Sequence, residues 1–221
     1  MFIVHHLNNS RSQRILWLME ELGLDYAIRF YERNKDMSAP EALRAVHPLG
    51  KSPIVEDLDS SASRQVLVET GAIVEHLVGS ADGKLGLPAT PREAVLYRQY
   101  LHYAEGSLMP ILFTSLVASK ILLLGRFALK RIRPMLETHL NFVEQELRGR
   151  EWFAGTAFTA ADIMMSFPLE AAGARGFLGD DNRATTDWLA RIHARPAYHR
   201  ALEKGGPYAF GPPRSSKETT Q

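Results

Sequence analysis

The spacing of apolar residues changes period once along this chain, and that change constrains its architecture more than any other feature. Over residues 1–79, short β-prone runs alternate with amphipathic helical ones. Phe2-Ile3-Val4 is β-prone. Ser10 opens a helix with Ile15, Leu18, Met19 and Leu22 on one face, and Gly23 closes it. Tyr26, Ile28 and Phe30 alternate with Ala27, Arg29 and Tyr31, as a strand does. Ser38-Ala39-Pro40-Glu41 starts a short helix carrying Leu43 and Val46, and His47-Pro48-Leu49-Gly50 is a turn. Ile54-Val55 and Gln65 to Val68 flank the polar turn Asp59-Ser60-Ser61 and read as a hairpin. A helix over 71–78 follows, with Ile73, Val74 and Leu77 on one face. The predicted order is β-α-β-α-β-β-α, with right-handed crossovers in its parallel part.

That order is the order of a thioredoxin-like sheet, so residues 1–79 are expected to form a thioredoxin-like domain. Glycines at 79, 83 and 86 and Pro88 make residues 80–90 a linker. Thr90-Pro91-Arg92-Glu93 combines an N-cap, a proline at the first helical position and a glutamate closing a capping box. From there the period is helical throughout, which predicts an all-helical domain over 91–211. Pro110 should kink or break one helix, and Pro134 should start another, with Leu136, Leu140, Val143 and Leu147 on one face. Thr159-Ala160-Ala161-Asp162 resembles a capping box ahead of a buried helix with Ile163, Met164, Phe167 and Leu169. The polar residues 212–221 are expected to be a disordered tail. The fold class is therefore α/β plus all-α.

Composition removes several functions. Twenty-six basic side chains against 25 acidic ones leave a net charge of +1, so nothing favours nucleic acid or an anionic membrane as partner. With no cysteine, disulfides, iron–sulfur clusters, thiolate zinc sites and cysteine nucleophiles are excluded. The histidines show no metal-ligand spacing, and His5 and His6 point to opposite faces of a strand. No metal is expected. The N-terminus lacks the basic start of a signal peptide, and no run is long enough to span a membrane. A cytoplasmic protein is the expectation.

Two stretches point to a ligand. Ser52-Pro53-Ile54-Val55 is a turn into a strand, whose backbone at Ser52 can pair with an extended peptide. Glu69-Thr70-Gly71-Ala72-Ile73 runs from a strand into a helix start, which suits a charged peptide end. Together they suit a short peptide such as glutathione.

With Ser10-Arg11-Ser12-Gln13-Arg14, Trp17 to Gly23, His47 to Pro53 and Thr159 to Asp162, these motifs stand in an order that resembles the cytosolic glutathione S-transferases over nearly the whole chain. The branch it resembles is the bacterial and fungal one with a serine near the first helix. The resemblance implies glutathione as co-substrate, no cofactor, a homodimer and a role in detoxification. It implies attack by the glutathione thiolate on a small apolar electrophile. Peroxidase, isomerase and ether-cleaving chemistry would use the same thiolate, and the sequence does not separate them.

The resemblance also assigns residues. Ser10 matches the hydroxyl that donates to the sulfur, although Ser10 to Gln13 is itself a capping box; Asn9 and Ser12 are the alternatives. Pro53 is expected cis, with Ser52 pairing to the cysteinyl backbone. Lys51 is expected toward the glycyl end, Glu69 at the γ-glutamyl ammonium, and Thr70, as cap of the following helix, at its carboxylate. For the second substrate, Tyr100, Tyr103, Leu108 and Phe113 are candidate pocket walls, though aromatics at helical spacing are more often core. Asp162 is expected to be a cap, and Arg14 and either Glu20 or Glu21 to form structural ion pairs on the first helix. The competing function is a non-catalytic protein of this fold that binds glutathione or an apolar ligand; an interaction module is a further alternative, disfavoured by the intact site residues.

Overall fold

In the computed structural model, which describes residues 1–59 and 65–212, the first unit is a four-stranded mixed sheet of order β2-β1-β3-β4. β1 (Phe2–Leu7) pairs in parallel with β2 (Tyr26–Tyr31) and antiparallel with β3 (Ile54–Asp57), which pairs antiparallel with β4 (Gln65–Leu67). α1 (Ser12–Leu22) makes the crossover from β1 to β2, α2 (Glu41–Val46) follows β2, and α3 (Thr70–Gly79) closes the unit. This is the thioredoxin-like arrangement, and its element order is the predicted one. Of the predicted hairpin turn, Ser60 and Ser61 lie outside the described residues, as does the tail from 213 onward.

α1 is buried on more than the one face that its spacing predicts, because it is packed from two sides. Ile15, Leu16, Trp17, Leu18 and Met19 are all buried between the sheet and the helical unit. Gly23 ends the helix in the left-handed region, at φ 75°, with its N–H on the Met19 carbonyl at 2.9 Å.

The helical unit comprises α4 (Pro91–Tyr103), α5 (Met109–Lys120), α6 (Leu123–Arg148), α7 (Ala160–Ala174), α8 (Arg183–His193) and α9 (Pro196–Gly205). Thr90 caps α4 by accepting the Glu93 N–H at 3.3 Å. The interruption expected at Pro110 takes the form of a π turn, Ala104–Leu108, in which the Met109 N–H reaches back to the Ala104 carbonyl. Pro134 does not start a helix. It lies inside α6, which begins at Leu123, and the Leu136, Leu140, Val143 and Leu147 face is buried as predicted. α7 is buried along almost its whole length and carries the capping box of Thr159 and Asp162. Asp162 accepts N–H bonds from Thr159 (2.9 Å), Phe153 (3.0 Å) and the Trp188 indole (3.2 Å), a fold role as expected.

The ion pairs expected along α1 instead cross to the helical unit. Arg14 pairs with Glu105, Glu21 with Arg195, and Glu20 with Arg200 and Lys204. A single core cluster accordingly runs through both units, joining residues such as Leu16, Ile73, Met164 and Ala201.

Candidate functional site

The loop from β1 into α1 carries Asn9, Ser10 and, at the first position of the helix, Ser12, of which the sequence favours Ser10 and leaves the other two as alternatives. Their surroundings are not equivalent. Ser12 is fully buried beneath the loop, with its Oγ 2.9 Å from His6 Nδ1 and accepting the Leu7 N–H at 3.3 Å. Asn9 adopts φ 49° and its Oδ1 accepts the Ala209 N–H at 2.7 Å, so it ties down the segment after α9. Ser10 lies between them. Its Oγ accepts the Ser12 N–H at 3.2 Å and stands 2.8 Å from Ser12 Oγ and 3.1 Å from Ser52 Oγ.

The capping box read from Ser10 to Gln13 does not form. α1 starts at Ser12 with Arg11 in the cap position, and the Gln13 side chain donates instead to the Ala201 carbonyl at 3.0 Å. Tertiary contact with α9 outcompetes the local bond.

The Ser52–Pro53 peptide is cis. Glu69, at φ 67° and ψ 118°, stands in the cap position of α3, and the buried Thr70 is its first helical residue. This moves the cap one residue earlier than the sequence predicts. Glu69 is exposed and makes no side-chain cap bond, so its carboxylate is open to solvent, and Thr70 at the start of α3 lines a cavity.

Two adjoining cavities meet at these residues. The smaller, of about 150 Å³, is lined by Lys51, Ser52, Pro53, Val68, Glu69 and Thr70, with Arg11, Leu49 and Glu105. The larger, of about 450 Å³, is lined by Leu7, Ser10, Arg11, Arg33, Ala39, Gly50, Lys51 and Ser52 on one side and by Phe113 and Phe167 from the helical unit on the other. Arg11, Lys51 and Ser52 line both. Arg11 donates from Nε to Glu105 at 2.9 Å, and its guanidinium lies 5.7 Å from the Phe167 ring centre. Burial pushes the Glu105 carboxyl up, but the Arg14 and Arg11 guanidiniums outweigh this and hold it below the usual carboxylate range.

Of the four predicted walls for a second substrate, Phe113 alone lines this cavity. Tyr100 is fully buried in the helical core, with its hydroxyl on Glu146 at 2.6 Å and its ring 4.7 Å from that of Phe153. Leu108 is fully buried too. Tyr103 is half-buried and bonded to His139 at 2.6 Å. Helical spacing of aromatics here marked core. Arg33 and Phe167 were missed as cavity residues. The first follows a strand with no motif around it, and the second sits in an apolar run that reads as core.

Among the described residues, no group of His, Cys, Asp or Glu is arranged to hold a metal ion, and no helix is long and apolar enough to cross a membrane.

Comparison with known proteins identifies the family. The chain is 35% identical to glutathione S-transferase 3 of Schizosaccharomyces pombe, over 92% of this chain and 88% of the relative. A glutathione S-transferase structure from Actinobacillus pleuropneumoniae superposes with a TM-score of 0.82 at 34% identity, covering 95% of this chain and 94% of that one. A glutathione transferase family member from Pseudomonas fluorescens, solved with two glutathiones bound, superposes at 0.74 with 26% identity, covering 91% and 92%. The family models for the glutathione S-transferase N-terminal and C-terminal domains match residues 10–78 and 128–196, and the chain belongs to the glutathione S-transferase family.

Proposed function

We propose that this transferase is of the serine type: it holds glutathione in the smaller cavity with its sulfur at Ser10, and presents the thiolate to an electrophile in the larger one. The observation that carries the reading is the place of the Ser10 hydroxyl. It lines the larger cavity and lies 3.1 Å from Ser52, which lines both. Ser12 and Asn9 are engaged by His6 and Ala209.

In this reading the cysteinyl backbone pairs with Ser52 beside cis-Pro53. Glu69 takes the γ-glutamyl ammonium, while Thr70 and the first N–H groups of α3 take the adjacent carboxylate. Lys51 serves the glycyl end. Ser10 accepts the Ser12 amide and donates its own hydrogen to the sulfur. A thiol ordinarily titrates near pH 8.5, so lowering it by about two units requires about 2.7 kcal/mol of preference for the anion. A hydroxyl donor and a helix start can supply that together. The same thiolate would serve hydroperoxides as well as carbon electrophiles. By family resemblance the protein acts as a cytoplasmic homodimer in detoxification.

The test is an absorbance titration of the bound thiolate in wild type and Ser10→Ala. The variant is expected to stay folded, to return the thiol pKa toward about 8.5, and to lose most of its rate. An unchanged thiol pKa would remove Ser10 from the mechanism.

A further inference from the structure

Among the described residues, no carboxylate answers the charge of Arg33. It follows β2, is half-buried, and lines the larger cavity. One guanidinium N–H donates to the Met37 carbonyl at 3.1 Å, and among the described residues no acidic side chain pairs with it. Its neighbours in the cavity add to the imbalance. Arg11 shares the Glu105 carboxylate with Arg14, Lys51 has no acidic partner among the described residues, and none of the described residues lining this cavity is Asp or Glu. Burial and the repulsion of Arg11 both press the Arg33 pKa downward. A half-buried cation has lost part of its hydration, and an anionic ligand group in the cavity would restore a partner for it.

We infer that the larger cavity selects an electrophile bearing a carboxylate: its apolar body lies against Phe113 and Phe167, its carboxylate meets Arg33, and its reacting carbon faces Ser10. The inference narrows the proposed function, on which its chemical step rests, from a neutral apolar electrophile to an anionic one. Lys51, beside Ser52 and on both cavities, remains the cation for the glycyl end of glutathione; Arg33 lines the larger cavity and not the smaller.

The probes are chlorodinitrobenzene and its ring-carboxylated analogue, chlorodinitrobenzoate. With either, the thiolate sulfur forms a bond to the chlorine-bearing carbon and chloride leaves with the carbon–chlorine electron pair. The quantity to measure is the ratio of kcat/KM for the carboxylated ring to that for the neutral ring, in wild type and Arg33→Gln. A ratio on one sample is independent of the folded fraction. The ratio is expected to fall about tenfold in the variant, the scale of one charge-assisted hydrogen bond, with the KM for glutathione unchanged. An unchanged ratio overturns the inference. So does a raised glutathione KM at constant ratio, which would assign Arg33 to the glycyl carboxylate. Calorimetric titration with dinitrobenzoate and dinitrobenzene reads the same preference without chemistry. If the wild type turns over neither probe, aryl chlorides are not its electrophiles and the calorimetric arm alone decides the anion site. A dinitrobenzoate preference lost in Arg33→Gln would still uphold the anion site, and equal binding of the two rings would overturn it.

Discussion

Arg14 of α1 and Glu105 of the π turn form an ion pair across the boundary between the two units, with the Arg14 side chain buried and Glu105 at the edge of the smaller cavity. Arg14 also donates to the Met164 carbonyl, and Arg11 shares the same carboxylate. One acidic side chain thus bridges a cation inside the domain interface and another that lines both cavities, and the three together keep one net positive charge.

Glu105→Gln should therefore destabilise the whole chain, by about 3 kcal/mol, because it leaves a buried guanidinium without its counter-charge. Urea midpoints measure this. The carboxyl is held below its ordinary value in the folded state, so its contribution is present above about pH 4.3 and is lost as pH falls through the depressed folded value. The variant should lack that acid-side loss. Equal stabilities would mean the pair is no more than a surface contact.

His6 predicts a pH effect of distinct origin. Burial pushes its pKa down to about 4, with the Gly205 backbone only partly opposing. The unfolded chain takes up a proton near pH 6.5 that the folded chain refuses, so this group costs stability as pH falls from 6.5 toward 4. The stability gap between wild type and His6→Gln should narrow over that range by up to about 1.4 kcal/mol per pH unit. Parallel profiles would show that His6 titrates normally.

Asp162 gives the opposite sign. Burial raises its carboxyl to about 6 against the pull of the Phe153 and Thr159 hydrogen bonds. Its contribution is complete below about pH 3.8 and is lost as pH rises through 6. Asp162→Ala strips partners from three buried N–H groups and the α7 cap, and should cost about 3 kcal/mol or more. Its deficit against wild type should widen on going from pH 6 to pH 4. A deficit that shrinks would contradict the assignment.

At the ligand, Glu69→Gln should weaken glutathione binding about tenfold by removing the charge of one ion-paired hydrogen bond. Glu69 is exposed, so the melting temperature should hardly move. Calorimetric titration separates the two, and unaltered affinity would release Glu69 from the γ-glutamyl end.

Much of this protein is a local record of burial. The face of α1, the β3–β4 hairpin, the cap at Thr90 and the change to helical period after residue 90 each depend on residues within a few positions of one another, and each is readable from spacing. The family is readable for the same reason, since its motifs are short and ordered along the chain. What spacing cannot carry is a bond between residues far apart. Asn9, Ser10 and Ser12 are one string of polar side chains until His6 and Ala209 engage the outer two. Tyr100 and Phe113 both sit on helices, and only packing against α6 and the Trp152 to Gly155 turn makes one core and leaves the other facing a cavity. Arg33 belongs to no motif. The role inferred for it rests on a cation lining one cavity with Phe113 and Phe167 of the other unit, with no carboxylate paired to it among the described residues.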